Sequence, residues 1–228
     1  MPVKIDLHVH TCYSEDSNIS LRDLFAEIRR KELDGVAITD HNTIEGSLEA
    51  CKMISGFEAE NRPIIIPGIE VSTRGGHIIG LNITEPIPKG LSVEETVERI
   101  HESGGIAIAA HPRAFFKDGI KLSPRILSFG LDAIEVINSS FFPFKLHVTA
   151  CEKFAKKYNL PQTAGSDSHI VETVGLAYTL VNTEERSIDS IIEAIKEGLI
   201  KPLGTGMPFS LRIRNIFKSV GRKGETNR

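Results

Sequence analysis

The sequence predicts an α/β fold, a parallel sheet with helices outside, closed or distorted into a TIM-like barrel. Three observations predict it. Short β-branched runs alternate with amphipathic helical runs along the chain. Several strand candidates are near-continuous apolar runs, as Ile64-Ile65-Ile66, the mark of strands buried on both faces. The chain has 228 residues, and single α/β barrels run to about 200–250.

In chain order, Val3–Val9 reads as the first strand. Ser20 then caps a helix through about Glu32, with Leu21, Leu24, Phe25 and Ile28 on one face. Strand Gly35–Asp40 is followed by a helix capped by Thr43 and running to about Glu60. Strands Ile64–Val71 and His77–Ile83 come next. Ser92-Val93-Glu94-Glu95 is a capping box, opening a helix that Gly104-Gly105 ends. Strands Ile106–Ala110 and Ala133–Ile137, a helix from Pro143 to Tyr158, strands Gln162–Gly165 and Ala177–Val181, and a helix from Ser187 to Glu197 complete the alternation. Residues 1–205 are expected to form the domain. Gly204-Thr205-Gly206 and Pro208 read as a break. In 206–228, Leu211, Ile213, Ile216, Phe217 and Val220 form an apolar stripe among basic residues, a terminal helix or a basic tail.

Hydrophobic residues make up 40% and charged residues 25%, which places the chain among globular proteins with a packed core. No apolar run approaches the roughly 18 residues a membrane helix needs, and Met1-Pro2-Val3-Lys4-Ile5-Asp6 has no signal-peptide core. The expected address is cytoplasmic, with no membrane partner. Cys12, Cys51 and Cys151 are scattered and odd in number, which excludes a disulfide framework and a cysteine zinc site. Net charge is −3, but residues 209–228 carry +5, leaving −8 for the rest. The chain as a whole is therefore no polycation, and only its tail offers an electrostatic guide to nucleic acid.

The positions of His and carboxylate residues carry the chemistry. His8 and His10 stand two apart at the end of the first strand, so period two puts both on one face. His41 ends the second strand and Glu70 the third. His77 opens the next, His111 ends a later one, and Asp167 and His169 follow another, again two apart. On a parallel barrel the strand C-termini share one rim, so these distant residues converge. His, Asp and Glu together are ligands for divalent transition metals. His101 and His147 fall inside helices and read as surface residues.

Asp-Leu-His-Val-His-Thr-Cys-Tyr-Ser, Ile-Thr-Asp-His-Asn-Thr, Pro-Gly-Ile-Glu-Val-Ser, Gly-His-Ile-Ile-Gly-Leu, Ala-Ala-His-Pro-Arg and Gly-Ser-Asp-Ser-His follow one another from about Lys4 to Tyr178. In that order they resemble the motifs of the PHP (polymerase and histidinol phosphatase) family. The resemblance implies a distorted (β/α)7 barrel, a site for two to three divalent ions, and phosphoester hydrolysis. Carried over, His8, His10, Asp167 and a bridging Glu70 would hold one ion. His77 and His111 would hold a second, shared with Glu70. Asp16, His41 and His169 would hold a third. Glu15 competes with Asp16 for that place, and the Tyr-Ser-x-Asp-Ser form favours Asp16. Six His and three carboxylates suit Zn, Mn or Fe better than Mg.

Other residues of the rim have expected roles. Arg113, after His111-Pro112, is the candidate for gripping substrate phosphate, or else a loop arginine. Asp40 orients His41 or a neighbouring ligand, or caps the following helix. Glu135 and Asn138 line the cavity or form a buried polar network. The expected substrate is a phosphorylated small molecule or nucleotide. The alternative is a 5′–3′ exonuclease of DNA or RNA ends. The family also includes silent modules that serve a partner, but here all nine ligand positions carry a ligand-competent residue. Only 55 residues separate His111 from Asp167, too few for the lid domain of the family's nucleotide-bisphosphate phosphatases, and the Cys-Gly-His run of its histidinol-phosphate phosphatases is absent.

Overall fold

The apolar runs form strands and the amphipathic runs pack over them. In the computed structural model, which describes residues 2–58, 62–112 and 119–213, the elements are β1 (Pro2–Val9), α1 (Leu21–Arg30), β2 (Gly35–Ile38), α2 (Glu45–Ser55), β3 (Ile64–Thr73), β4 (Gly76–Leu81), α3 (Val93–Glu102), β5 (Ile106–Ala109), β6 (Ala133–Asn138), α4 (Phe144–Tyr158), β7 (Gln162–Gly165), β8 (Ala177–Asn182), α5 (Ile188–Lys196) and β9 (Ile200–Gly204). The strands make one nine-stranded sheet in the order β7-β6-β5-β4-β3-β2-β1-β8-β9. Beyond β7 the chain turns back onto β1: the Asp167 amide donates to the His8 carbonyl at 2.8 Å, and the His10 amide to that of Ser168 at 3.0 Å. These bonds bring the β7 edge of the sheet against β1, so that β1 to β7 form a nearly closed barrel, with β8 and β9 continuing beyond β1.

Strand isoleucines such as Ile38, Ile66, Ile79 and Ile108 are buried, as are Leu24 and Ile28 of α1, Val97 and Ile100 of α3, and Ile191 and Ile195 of α5. Each contributes about 1.5–3 kcal/mol relative to exposure. Helix starts follow the sequence closely. Ser20 accepts from the Asp23 amide, and Ser92 with Glu95 completes the capping box. Ser187 accepts from the Ser190 amide. The Thr43 cap is corrected: Ile44 holds that place without a side-chain bond, and Thr43 accepts from the Glu45 amide instead.

The all-parallel expectation is also corrected. β1, β2 and β3 run parallel, as do β5, β6 and β7, but β4 is antiparallel to both β3 and β5. The cause is local. Thr73 pairs with Gly76, so only Arg74 and Gly75 connect β3 to β4, too little chain for a crossover. β8 is antiparallel to β1 and β9. β9 escaped the sequence reading because Pro202 sits inside it. An edge strand tolerates the missing donor.

Candidate metal centre

Nine side chains meet at one rim. Strand geometry delivers them. His8 leaves β1 and His10 follows it, and Glu70 is on β3. His77 is at the start of β4, and because β4 runs backwards its start lies on the same rim as the ends of its neighbours. His111 follows β5, and Asp167 and His169 follow β7. His111 and Asp167 carry positive φ values of 28° and 53°, conformations that non-glycine residues rarely adopt and that recur where function holds the backbone.

Glu70 is the hub. Its Oε2 lies 3.4 Å from His8 Nε2, 3.2 Å from His10 Nε2 and 3.1 Å from His41 Nδ1. Its Oε1 lies 3.0 Å from both His77 Nδ1 and His111 Nε2. Asp167 Oδ1 faces His8 and His10 at 3.6 and 3.3 Å. Asp16 Oδ2 faces His169 at 3.1 Å and His41 at 3.5 Å. Asp16, not Glu15, therefore reaches the imidazoles. His41 belongs to two groups, turning Nδ1 to Glu70 and Nε2 to Asp16. The sets His8-His10-Asp167, His10-His41-His169 and His41-Glu70-His77 are each close enough to hold an ion.

A layer of hydrogen bonds behind the imidazoles aims them. Glu135 Oε1 accepts from His8 Nδ1 at 3.0 Å, which leaves the Nε2 lone pair for the centre. Ser14 Oγ does the same for His10. It accepts from His10 Nδ1 at 3.3 Å and from the His41 amide at 2.8 Å, and donates to Asp40 at 3.1 Å. That exhausts the hydroxyl's capacity of one donor and two acceptor sites. Asp40 also accepts from the Thr11 amide at 2.6 Å and its hydroxyl at 2.7 Å. It is linked to His10 and to the His41 amide through Ser14, and does not cap α2. Glu135 is buried behind His8, accepting also from the His111 amide at 2.7 Å and Asn138 Nδ2 at 3.0 Å. Of the expected cavity pair, Asn138 lines the cavity and Glu135 does not. Asn138 Nδ2 also reaches Asp167 Oδ2 at 3.2 Å.

This crowd of nitrogens and carboxylate oxygens fits divalent cations. With both Nδ1 atoms engaged, His8 and His10 Nε2 face each other across 3.1 Å, an arrangement that repels unless a positive charge lies between. Glu70 Oε2 and His41 Nδ1 are buried polar atoms with no hydrogen-bond partner among the described residues. Burial disfavours charge on His8, but Glu135, Asp167 and Glu70 outweigh it and raise its pKa well above the usual value. Burial opposes charge on His169 too, yet Asp16 and Asp167 push it up to about 9. Glu70 and Asp167 are held well below the carboxylate range by the imidazoles, despite burial. A field that holds protons here would also hold metal ions, which displace them.

The cluster opens into a cavity of about 320 Å³, lined by seven of the nine residues with His8 and His10 beneath. Arg113 lies outside the described residues. His101 is at the surface, paired with Asp132 at 2.8 Å, but His147 is not. It is 1% exposed, on the inner face of α4, with its ring stacked 4.2 Å from Phe141 and its nitrogens 3.7–3.8 Å from Cys151 Sγ. Sequence reasoning missed Ser14 and Thr11 as supports, since a serine hydroxyl's partners are set by tertiary contacts.

Residues 149–200 match the family model described as PHP-associated. An uncharacterised protein of Methanocaldococcus jannaschii is 40% identical over 172 residues, 71% of this chain and 96% of that protein. A 5′-3′ exoribonuclease of Haemophilus influenzae is 31% identical over 131 residues, 53% of this chain and 45% of the enzyme. Among solved structures, a two-domain protein of Bacteroides vulgatus containing a predicted PHP-like metal-dependent phosphoesterase superposes with a TM-score of 0.75. Its identity is 17%, covering 96% of this chain and 70% of that one. Among the described residues no helix is long and apolar enough to cross a membrane.

Proposed function

The chain belongs to the PHP (polymerase and histidinol phosphatase) family, and from that premise we propose that it hydrolyses phosphoesters in a metal-dependent reaction, with a small phosphorylated metabolite or nucleotide as substrate. One observation carries the reading: a single buried carboxylate, Glu70, touches five imidazoles on the rim of an open cavity. His8, His10, Asp167 and Glu70 would hold one ion, His77 and His111 with Glu70 a second, and Asp16, His41 and His169 a third. When bound, divalent ions supply charge to offset the phosphate and acidify water.

The chain's own residues do the rest. Glu135 and Ser14 fix the tautomers of His8 and His10, so both present a lone pair inward. Asn138 restrains Asp167 at the cavity wall. In the unloaded centre protonated imidazoles such as His8 and His169 offset the carboxylates, and bound cations would take over that role as they displace the protons. Arg113 is proposed to grip substrate phosphate. A second reading, a 5′–3′ exonuclease acting on nucleic-acid ends, is favoured by the likeness to the Haemophilus exoribonuclease.

The test is a screen of purified protein of known metal content. Phosphomonoesters, nucleotides and labelled oligonucleotides are compared, with chelated protein as control. Two to three equivalents of Zn, Mn or Fe and metal-dependent phosphate release are expected. Full activity with no bound or required metal would sink the reading.

A further inference from the structure

The cavity has an aromatic wall that the hydrolytic chemistry does not use. Phe141 and Phe142 line it together with Asp16, His77, Asn138 and His169. Phe142 is 62% exposed, a costly place for a large apolar ring. The segment that carries the pair is held from several sides. The Phe141 amide donates to Asn138 Oδ1 at 3.1 Å, and Asn138 in turn reaches Asp167. Phe141 stacks on buried His147 with the ring planes 17° apart. The Met207 amide donates to the Ser139 carbonyl at 2.8 Å. Arg212 donates to the carbonyls of Ser140 and Phe141 at 2.8 and 3.4 Å, and its guanidinium lies 5.3 Å from the Phe142 ring centroid. An exposed aromatic ring is thus fixed, with a permanent positive charge beside it, at the mouth of a site for phosphate.

We propose that Phe141 and Phe142, braced by Arg212, form a stacking subsite for the nucleobase of the substrate, so that the esters cleaved here are those of nucleotides. The inference rests on the phosphoesterase reading and names its substrate class. A sugar or polyol phosphate presents hydroxyl groups to this wall and gains little from it. A base presents a flat π-face, and stacking on one aromatic side chain changes affinity by about tenfold or more. The cation beside the ring adds attraction for the electron-rich base or a neighbouring phosphate. The base can belong to a free nucleotide or to the end of a strand, since both offer the same face.

The test uses the full chain loaded with manganese. Values of kcat/KM are measured for adenosine 5′-monophosphate, a five-residue oligoadenylate and ribose 5-phosphate. Affinities for non-hydrolysable phosphonate analogues of the first and last are measured by calorimetry. At least one adenine substrate should be preferred over ribose 5-phosphate by about tenfold or more. Phe142→Leu should collapse that preference in both rate and affinity, and Phe142→Trp should keep it. Because Phe142 is exposed, neither change touches the core. The adenine substrate that loses preference identifies the source, free nucleotide or strand end. Equal handling of all three ligands by the unmodified chain, or an undiminished preference in Phe142→Leu, overturns the stacking subsite and leaves the phosphoesterase reading standing. No hydrolysis and no binding of any phosphate by the loaded chain overturns both.

Discussion

Glu70 is the residue on which the centre turns, because both its oxygens face imidazoles. Glu70→Gln keeps the shape and removes the charge. It should empty at least two metal positions and lower turnover by orders of magnitude, whereas His101→Ala, at the surface beside Asp132, should change neither. Elemental analysis and initial rates on both variants check this, and equal behaviour would contradict the sorting of the histidines. Glu135→Ala leaves His8 Nδ1 without its acceptor. A loss of metal affinity of about 10–100-fold is expected by titration. His169 predicts a pH dependence. Its folded pKa is raised to about 9 by Asp16 and Asp167, against burial, from an ordinary 6.5. The stability it contributes is full below pH 6.5 and is lost as pH rises through about 9. The melting temperature of chelated protein should fall across that window, and that of loaded protein should fall less, because a ligated imidazole carries no proton to lose. Parallel curves would count against ligation by His169.

At the scale of elements, the strand that ends in Gly165 must pass very close to β1. A Cβ on Gly165 would stand 2.3 Å from His8 Cβ and 2.8 Å from Glu135 Oε1. Gly165→Ala should cost about 1–3 kcal/mol of stability by overpacking and, since the clash falls on His8, should weaken metal binding as well. Chemical denaturation and metal titration read the two effects separately. The sequence disclosed most elements because their signals are local. The Ser92–Glu95 box, the triple isoleucine of β3 and the period-two spacing of His8 and His10 each fit within one element. β4 kept its position but not its direction, which depends on a two-residue connection that the alternating pattern hides. His147 was misjudged for a related reason: a polar residue's burial depends on what crosses it, here Phe141 from the preceding loop. Ser14 and Asp40 are linked across 26 positions, a contact no local pattern reveals.

At the scale of the molecule, ions bound only by the folded chain would stabilise it by mass action, about 4 kcal/mol at a thousandfold excess over Kd. Chelation should therefore lower the melting temperature by several degrees, measured by calorimetry at fixed pH. The basic tail calls for a cut that spares Arg212, whose bonds to the carbonyls of Ser140 and Phe141 tie it to the cavity wall. Deleting residues 214–228 should leave turnover of a small phosphoester unchanged. If the tail guides nucleic acid, the same deletion should flatten the salt dependence of oligonucleotide hydrolysis.

The seam between β7 and β1 also fixes the order in which the centre can come into being. Glu70 meets His77 across seven positions of sequence and His111 across 41, so that half can assemble while the chain is still emerging. Asp6, which clamps the amides of Ser166 and Gly175 beneath the other half, reaches across 160 and 169 positions. Loops that long close late. His8 and His10 are therefore made first yet completed last, and a nascent chain halted before Asp167 would hold Glu70 and its five imidazoles but lack Asp167 and His169.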